Sequence, residues 1–169
     1  MNKLFPIVLA LMMYGCQKTA IETLDNIIET EKGLDIILPH DNSQASNEIR
    51  WDDNLNSAFA MASNSNKIIM IDFMAEWCPP CQKMDNETFS NKNIIKKSNE
   101  FILIRIDVDK QQDIAKEYNG NARKYGGAGI PNILFLDKNK NIIHRIIGFH
   151  DANKLISIMD SVLMESNNE

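Results

Sequence analysis

Two cysteines two residues apart, in Trp77-Cys78-Pro79-Pro80-Cys81, are the part of this sequence best suited to chemistry. Residues 67–73, Lys-Ile-Ile-Met-Ile-Asp-Phe, form the nearly continuous apolar run expected of a strand buried on both faces. A helical stretch follows Cys81 through Met84. A cysteine at such a strand-to-helix junction meets unpaired backbone N–H groups and the positive end of the helix dipole, and both favour a thiolate. Its pKa falls, and a second cysteine one turn along is within reach. Exposed at the helix start, Cys78 would attack a foreign disulfide to give a mixed disulfide, which Cys81 would then resolve. Pro80 suits the first turn, where a missing N–H costs little. Pro79 and Pro80 also withhold two donors from Cys78, and no His between the cysteines adds charge. A thiolate stabilised less belongs to a less oxidising disulfide, so the pair is expected on the reducing or isomerising side.

Other uses of the pair fit poorly. Zinc usually takes four ligands, and there is no second Cys pair or His-x-x-x-His. Haem attachment needs a His directly after the second cysteine, where Gln82 stands. As a staple the pair closes almost no loop. The third cysteine, Cys16, ends a leader in which Lys3 precedes an apolar run, residues 4–14, broken only by Pro6. That run is shorter than the roughly 20 residues a membrane-spanning helix needs and fits the apolar region of a secretory signal. Met13-Tyr14-Gly15-Cys16 resembles a bacterial lipoprotein cleavage site, which implies lipidation of Cys16 and attachment to a membrane. An ordinary signal peptide cut elsewhere, or an uncleaved anchor, are the alternatives. In an oxidising compartment a lipidated Cys16 would leave Cys78 and Cys81 as the free pair.

The elements that must hold this pair can be placed along the chain. With 169 residues the sequence has room for one domain and an appendage, and 44% hydrophobic residues suffice for a core. A net charge of −5 without a basic stripe argues against nucleic acid as partner. We divide the chain into a leader (1–16), a polar tether (17–47, with a short strand possible at 34–38) and a folded domain (48–169). In the domain, Asp52 or Asp53 is expected to cap a helix carrying Leu55, Phe59 and Ala62. Further helices are expected at 91–98 and 111–118, a second buried strand at 101–108, and a hairpin of 132–136 with 142–147. Asp151 should cap a last helix whose apolar stripe is Leu155, Ile158, Met159 and Val162. Alternating strands and helices point to an α/β sheet covered on both faces, with an antiparallel hairpin at the end.

Asp72-Phe73-Met74-Ala75-Glu76-Trp77-Cys78-Pro79-Pro80-Cys81 is similar nearly residue by residue to the active-site segment of the thioredoxin family, and Gly129-Ile130-Pro131 resembles its cis-proline loop. The likeness covers about residues 48–165. The helix after Trp51 and the stretch Met84-Asp85-Asn86-Glu87-Thr88-Phe89 look most like the periplasmic thioredoxin-like domains of thiol:disulfide interchange proteins. The resemblance implies a thioredoxin fold, a mixed sheet flanked by helices, with an N-terminal extension. It implies Cys78 as nucleophile, Cys81 as resolving thiol and Asp72 as the buried carboxylate that exchanges a proton with Cys81. Trp77, Pro79, Ile130 and Pro131 would form the substrate-binding surface, with Pro131 cis. Arg105 stands where many members carry a lysine facing the buried carboxylate, and an Arg, which cannot become neutral, would hold Asp72 ionised more firmly. Asn132 replaces the commoner Thr.

The implied partners are disulfides or dithiols of envelope proteins and a membrane or periplasmic redox donor, with no cofactor and no metal. A rival is a copper-carrying lipoprotein of the same fold using His144 or His150 with the cysteines, although its relatives carry a wider Cys-x-x-x-Cys spacing. Otherwise Glu76 reads as a solvated charge, Trp51 as a core or staple residue, and the methionines as core filler.

Overall fold

The computed structural model describes residues 47–166. Cys16, the leader and all but the last residue of the tether lie outside them. In chain order the elements are α1 (Leu55–Ser65), β1 (Ile69–Met74), α2 (Pro79–Lys83), a π-helical segment (Met84–Phe89), α3 (Lys92–Ser98) and β2 (Ile102–Asp107). Then follow α4 (Gln112–Glu117), a 3-10 turn (Arg123–Tyr125), β3 (Asn132–Leu136), β4 (Ile142–Ile147) and α5 (Ala152–Ser166). The strands stand in the order β2-β1-β3-β4; β1 and β2 are parallel, and β3 is antiparallel to both its neighbours. This is the mixed sheet expected of a thioredoxin-like fold.

The period of two along β1 divides the core. Ile69, Ile71 and Phe73 pack with Leu55, Phe59 and Ala62 of α1 and Ala115 of α4. Met70 packs on the other face with Met84, Phe89, Ile94 of α3, and Leu155, Met159 and Val162 of α5. Ile158, placed with the stripe of α5, is only half-buried. Asp151 caps that helix as expected, its Oδ1 accepting from Lys154 N–H at 2.9 Å.

Three details depart from the sequence expectation, each for a local reason. The cap of α1 is Asn54, whose Oδ1 accepts from Ser57 N–H at 3.1 Å, and not Asp52 or Asp53. The Asp52 backbone is spent elsewhere: its N–H donates to Leu103 O at 3.1 Å and its carbonyl accepts from Arg105 N–H at 2.8 Å. The helix therefore starts beyond it. β2 is not buried throughout but alternates: Ile102, Ile104 and Ile106 are buried on the face packed by α1, whereas Leu103, Arg105 and Asp107 on the other face are half-buried. Helical structure continues past Met84 to Phe89 with a wider turn. Met84, Thr88 and Phe89 are buried, at spacings of four and five residues that the wider turn of a π-helix brings onto one face.

Candidate active site

β1 ends at Met74, and Ala75-Glu76-Trp77 carries the chain to Cys78, the N-cap of α2. Cys78 has extended backbone geometry, and its Sγ accepts from Cys81 N–H at 3.3 Å. Pro79 and Pro80 occupy the first turn, where their missing N–H groups leave no helical hydrogen bond unmade. Cys78 and Cys81 form a disulfide with their Cα atoms 5.3 Å apart.

One expectation fails in this oxidised form. Cys78, placed as an exposed thiol, is 2% exposed, and Cys81 is 3% exposed. The side chain that caps the helix folds back over its first turn and bonds to Cys81. Both cysteines join the core cluster that contains Phe73, Ala75 and Ala122, and Ile130 packs against it. Pro79 and Trp77 are exposed beside them, whereas Pro131 is buried.

The Ile130–Pro131 peptide is cis. Its loop is tied on both sides. Gly129, at φ +119°, a conformation that favours glycine, donates its N–H to Asn121 O at 3.0 Å, and Pro131 O accepts from Gly148 N–H at 2.7 Å. Asn132 is fully buried; its Nδ2 donates to Asn119 O at 3.3 Å and its Oδ1 accepts from Arg145 Nη1 at 3.0 Å. Arg145 Nη2 also donates to Tyr118 O at 2.6 Å. The residue after the cis-proline is thus fastened to the end of α4 through Arg145 of β4.

Asp72 faces Arg105 across the β1–β2 register and is 1% exposed. Arg105 donates from Nε to Asp72 Oδ2 at 3.0 Å and from Nη2 to Asp85 Oδ1 at 2.6 Å, and Nη2 is also ion-paired with Asp72 Oδ2 at 2.9 Å. The guanidinium carbon lies 4.5 Å from the Trp51 ring centroid and 5.4 Å from that of Phe89, and those rings meet edge to face at 5.1 Å. Trp51, expected as a core or staple residue, is therefore also one wall around this cation. Burial pushes the Asp72 carboxyl up to about 6; Arg105 opposes the rise and Asp85 adds to it. Among the described residues Asp72 Oδ1 has no hydrogen-bond partner, which leaves the ionised form short of a donor. A carboxyl group in that range can take and return a proton near neutral pH.

Trp77 is held from the side. Its Nε1 donates to Asp109 Oδ2 at 2.5 Å, and Tyr125 OH donates to Asp109 Oδ1 at 2.5 Å. Those bonds, Tyr125 first, hold the Asp109 carboxyl below its ordinary range. Glu76 is exposed and ion-paired with Lys110 at 2.9 Å. His144 lies tilted against Phe135, and His150 Nδ1 lies 3.1 Å from Gly148 O. Among the described residues no three His, Cys, Asp or Glu side chains are gathered as a metal site.

Asp85, Asp109, Tyr125 and Arg145 were not singled out in the sequence. Asp85 had a readable signal, since it follows Cys81 by one helical turn on a helix that leaves the site. Asp109, Tyr125 and Arg145 come from distant segments, and only the fold brings them here.

A family model described as a thioredoxin-like domain matches residues 55–163. The thiol:disulfide interchange protein DsbD of Haemophilus influenzae (strain PittGG) is 28% identical over 105 residues, 61% of this chain and 18% of that protein. Thioredoxin H5 of Arabidopsis thaliana is 37% identical over 87 residues, 52% of this chain and 64% of that protein. A solved DsbH oxidoreductase superposes with a TM-score of 0.57 at 16% identity, covering 78% of this chain and 94% of the other. At that identity the likeness speaks for the fold alone. The chain spans less than a fifth of the length of the interchange protein it matches.

Proposed function

Because the chain belongs to the thioredoxin-like domain family, we propose that it is an extracytoplasmic thiol–disulfide oxidoreductase that exchanges its Cys78–Cys81 pair with protein cystines, on the reducing or isomerising side. The observation that carries this reading is the disulfide at the helix start beside a cis-proline loop. Membership in a family whose similar proteins include those named thiol:disulfide interchange proteins supports it.

In the reducing direction the Cys78 thiolate attacks one sulfur of a substrate cystine. The substrate S–S bond breaks, one substrate sulfur leaves as thiolate, and Cys78 holds the other as a mixed disulfide. Cys81 gives its proton to Asp72, attacks the Cys78 sulfur and releases the second substrate thiol. The substrate gains two electrons, the Cys78–Cys81 dithiol loses them, and a dithiol donor in the membrane or envelope restores them. Ile130 and Pro131 hold the substrate segment extended, with Trp77 and Pro79 beside it. Lipid on Cys16 anchors the chain, and the polar residues 17–47 hold the domain away from the membrane.

The direction rests on the donors around sulfur 78. With proline at the two intervening positions, the N–H that reaches Sγ is that of Cys81. A thiolate with so little support makes its disulfide harder to reduce. Equilibration with glutathione should give a potential of about −180 mV or more negative, and a value near the about −120 mV of strong periplasmic oxidants would contradict the assignment.

A further inference from the structure

Beside the disulfide, two of the larger apolar side chains stand in water. Trp77 is 44% exposed and Tyr125 45% exposed. Neither is free to swing, since Asp109 holds the indole N–H with one oxygen and the phenol O–H with the other. Lys124 Nζ lies 3.5 Å from the Trp77 ring centroid and 4.7 Å from that of Tyr125. Arg123, exposed on the same turn, borders Gly129, the residue before the Ile130–Pro131 pair. A Cβ built on Gly129 would come within 3.4 Å of Arg123 Nε. The 3-10 turn thus sets one cation over the tryptophan next to Cys78 and a second along the cis-proline loop.

The carboxylates nearby are already engaged. Both Asp109 oxygens accept from the aromatic residues, and Glu76 and Asp107 are ion-paired with Lys110 at 2.9 and 3.0 Å. Lys124 lies over the two ring faces and its charge also acts on Asp109, but the Asp109 oxygens are taken by the indole and phenol donors, an arrangement that leaves the ammonium able to receive an anion. Rigid exposed aromatics around a cation are what a recognition surface needs, because little side-chain entropy is lost when a partner settles on them. The basic turn stands out on a chain whose net charge is −5.

We propose that the turn Arg123–Tyr125 with Trp77 selects polypeptide substrates carrying Asp or Glu next to the cystine, with Lys124 as the principal specificity-determining residue. The inference rests on the oxidoreductase reading and names its substrate class. Lys124 acts on encounter and on the lifetime of the complex; the sulfur chemistry is untouched by it.

The test uses the full chain, reduced beforehand and freed of reductant, so that each protein molecule supplies one pair of electrons. Three cystine peptides of equal length are offered, with the residues flanking the cystine all Glu, all Gln or all Lys. The second-order rate of reduction should be about fivefold higher for the Glu peptide than for the Lys peptide at low salt, and close to equal in 0.5 M salt. Lys124→Glu should reverse the order. Lys138→Glu makes the same charge change in the β3–β4 turn at the far end of the sheet and should keep it. Equal rates for the three peptides in the unaltered protein, or a preference for Glu that survives Lys124→Glu, would overturn the inference while leaving the oxidoreductase reading intact. Failure to reduce any of the peptides would remove that reading and this one with it.

Discussion

Cys78→Ser is expected to fold and to lose at least about a thousandfold in the rate of cystine reduction, because a serine hydroxyl stays protonated and cannot attack a disulfide sulfur at neutral pH. Cys81 cannot take its place. It lies inside α2, whereas Cys78 caps the helix at the end of the loop from β1. Loss of the disulfide costs little in folding, since the ring it closes spans a sequence separation of only 3. Insulin reduction, with far-ultraviolet circular dichroism to confirm the fold, checks the effect. Reduction within a factor of a few of the unaltered protein would mean that Cys78 is not the attacking group.

Asp72→Asn should pull stability and turnover in opposite directions. The Asp72 pKa rises from 3.8 to about 6 in the folded protein. The folded state therefore holds this proton more tightly than the unfolded chain does. Below about pH 4 the carboxyl is neutral in both states and carries no penalty. As pH rises through the window from about 4 to about 6, the unfolded chain ionises first and stability falls by about 3 kcal/mol in all. Asparagine cannot ionise, so the variant should gain about 3 kcal/mol over the parent at pH 8 and little at pH 4, read by urea unfolding at each pH. Arg105 is not stranded by the change, because Asp85 still accepts from Nη2 at 2.6 Å. Turnover should fall about a hundredfold if, as proposed, Asp72 is the acceptor of the Cys81 proton. A variant less stable than the parent at pH 8 would show that the Asp72–Arg105 pair stabilises the fold more than the buried charge costs it.

The sheet and its helices were legible because the strands are short apolar runs and α5 carries an apolar stripe. Strand β1 could be recognised by its near-continuous hydrophobicity, and the cysteine pair by its place at the end of that strand. The cap of α1 was misplaced because the competing use of Asp52, a backbone bridge to Leu103 and Arg105, depends on a segment some fifty residues away. The π-helical run to Phe89 was missed because local periodicity does not announce a five-residue spacing that tertiary burial enforces. Long-range side-chain bonds were the least legible. The pairing of Arg105 with Asp72 could be read from the family resemblance, but Asp85 and the Trp51–Phe89 walls around the guanidinium need the register of β1 against β2 and the course of the helix above it. The burial of Cys78 has a similar origin. A cysteine at a helix start reads as exposed until the disulfide folds its sulfur onto the helix and the core beneath.

That burial is where the central claim is most open to test. The full chain carrying Cys81→Ser, reduced and then mixed with a cystine peptide, should accumulate a covalent adduct that peptide mapping places on residue 78. An adduct at Cys78 formed in the native protein, and absent when that residue is serine as well, is the predicted result. No adduct there until the protein is denatured, while the fold stays intact, would mean that this sulfur does not reach a partner and that the exchange chemistry assigned to it is wrong.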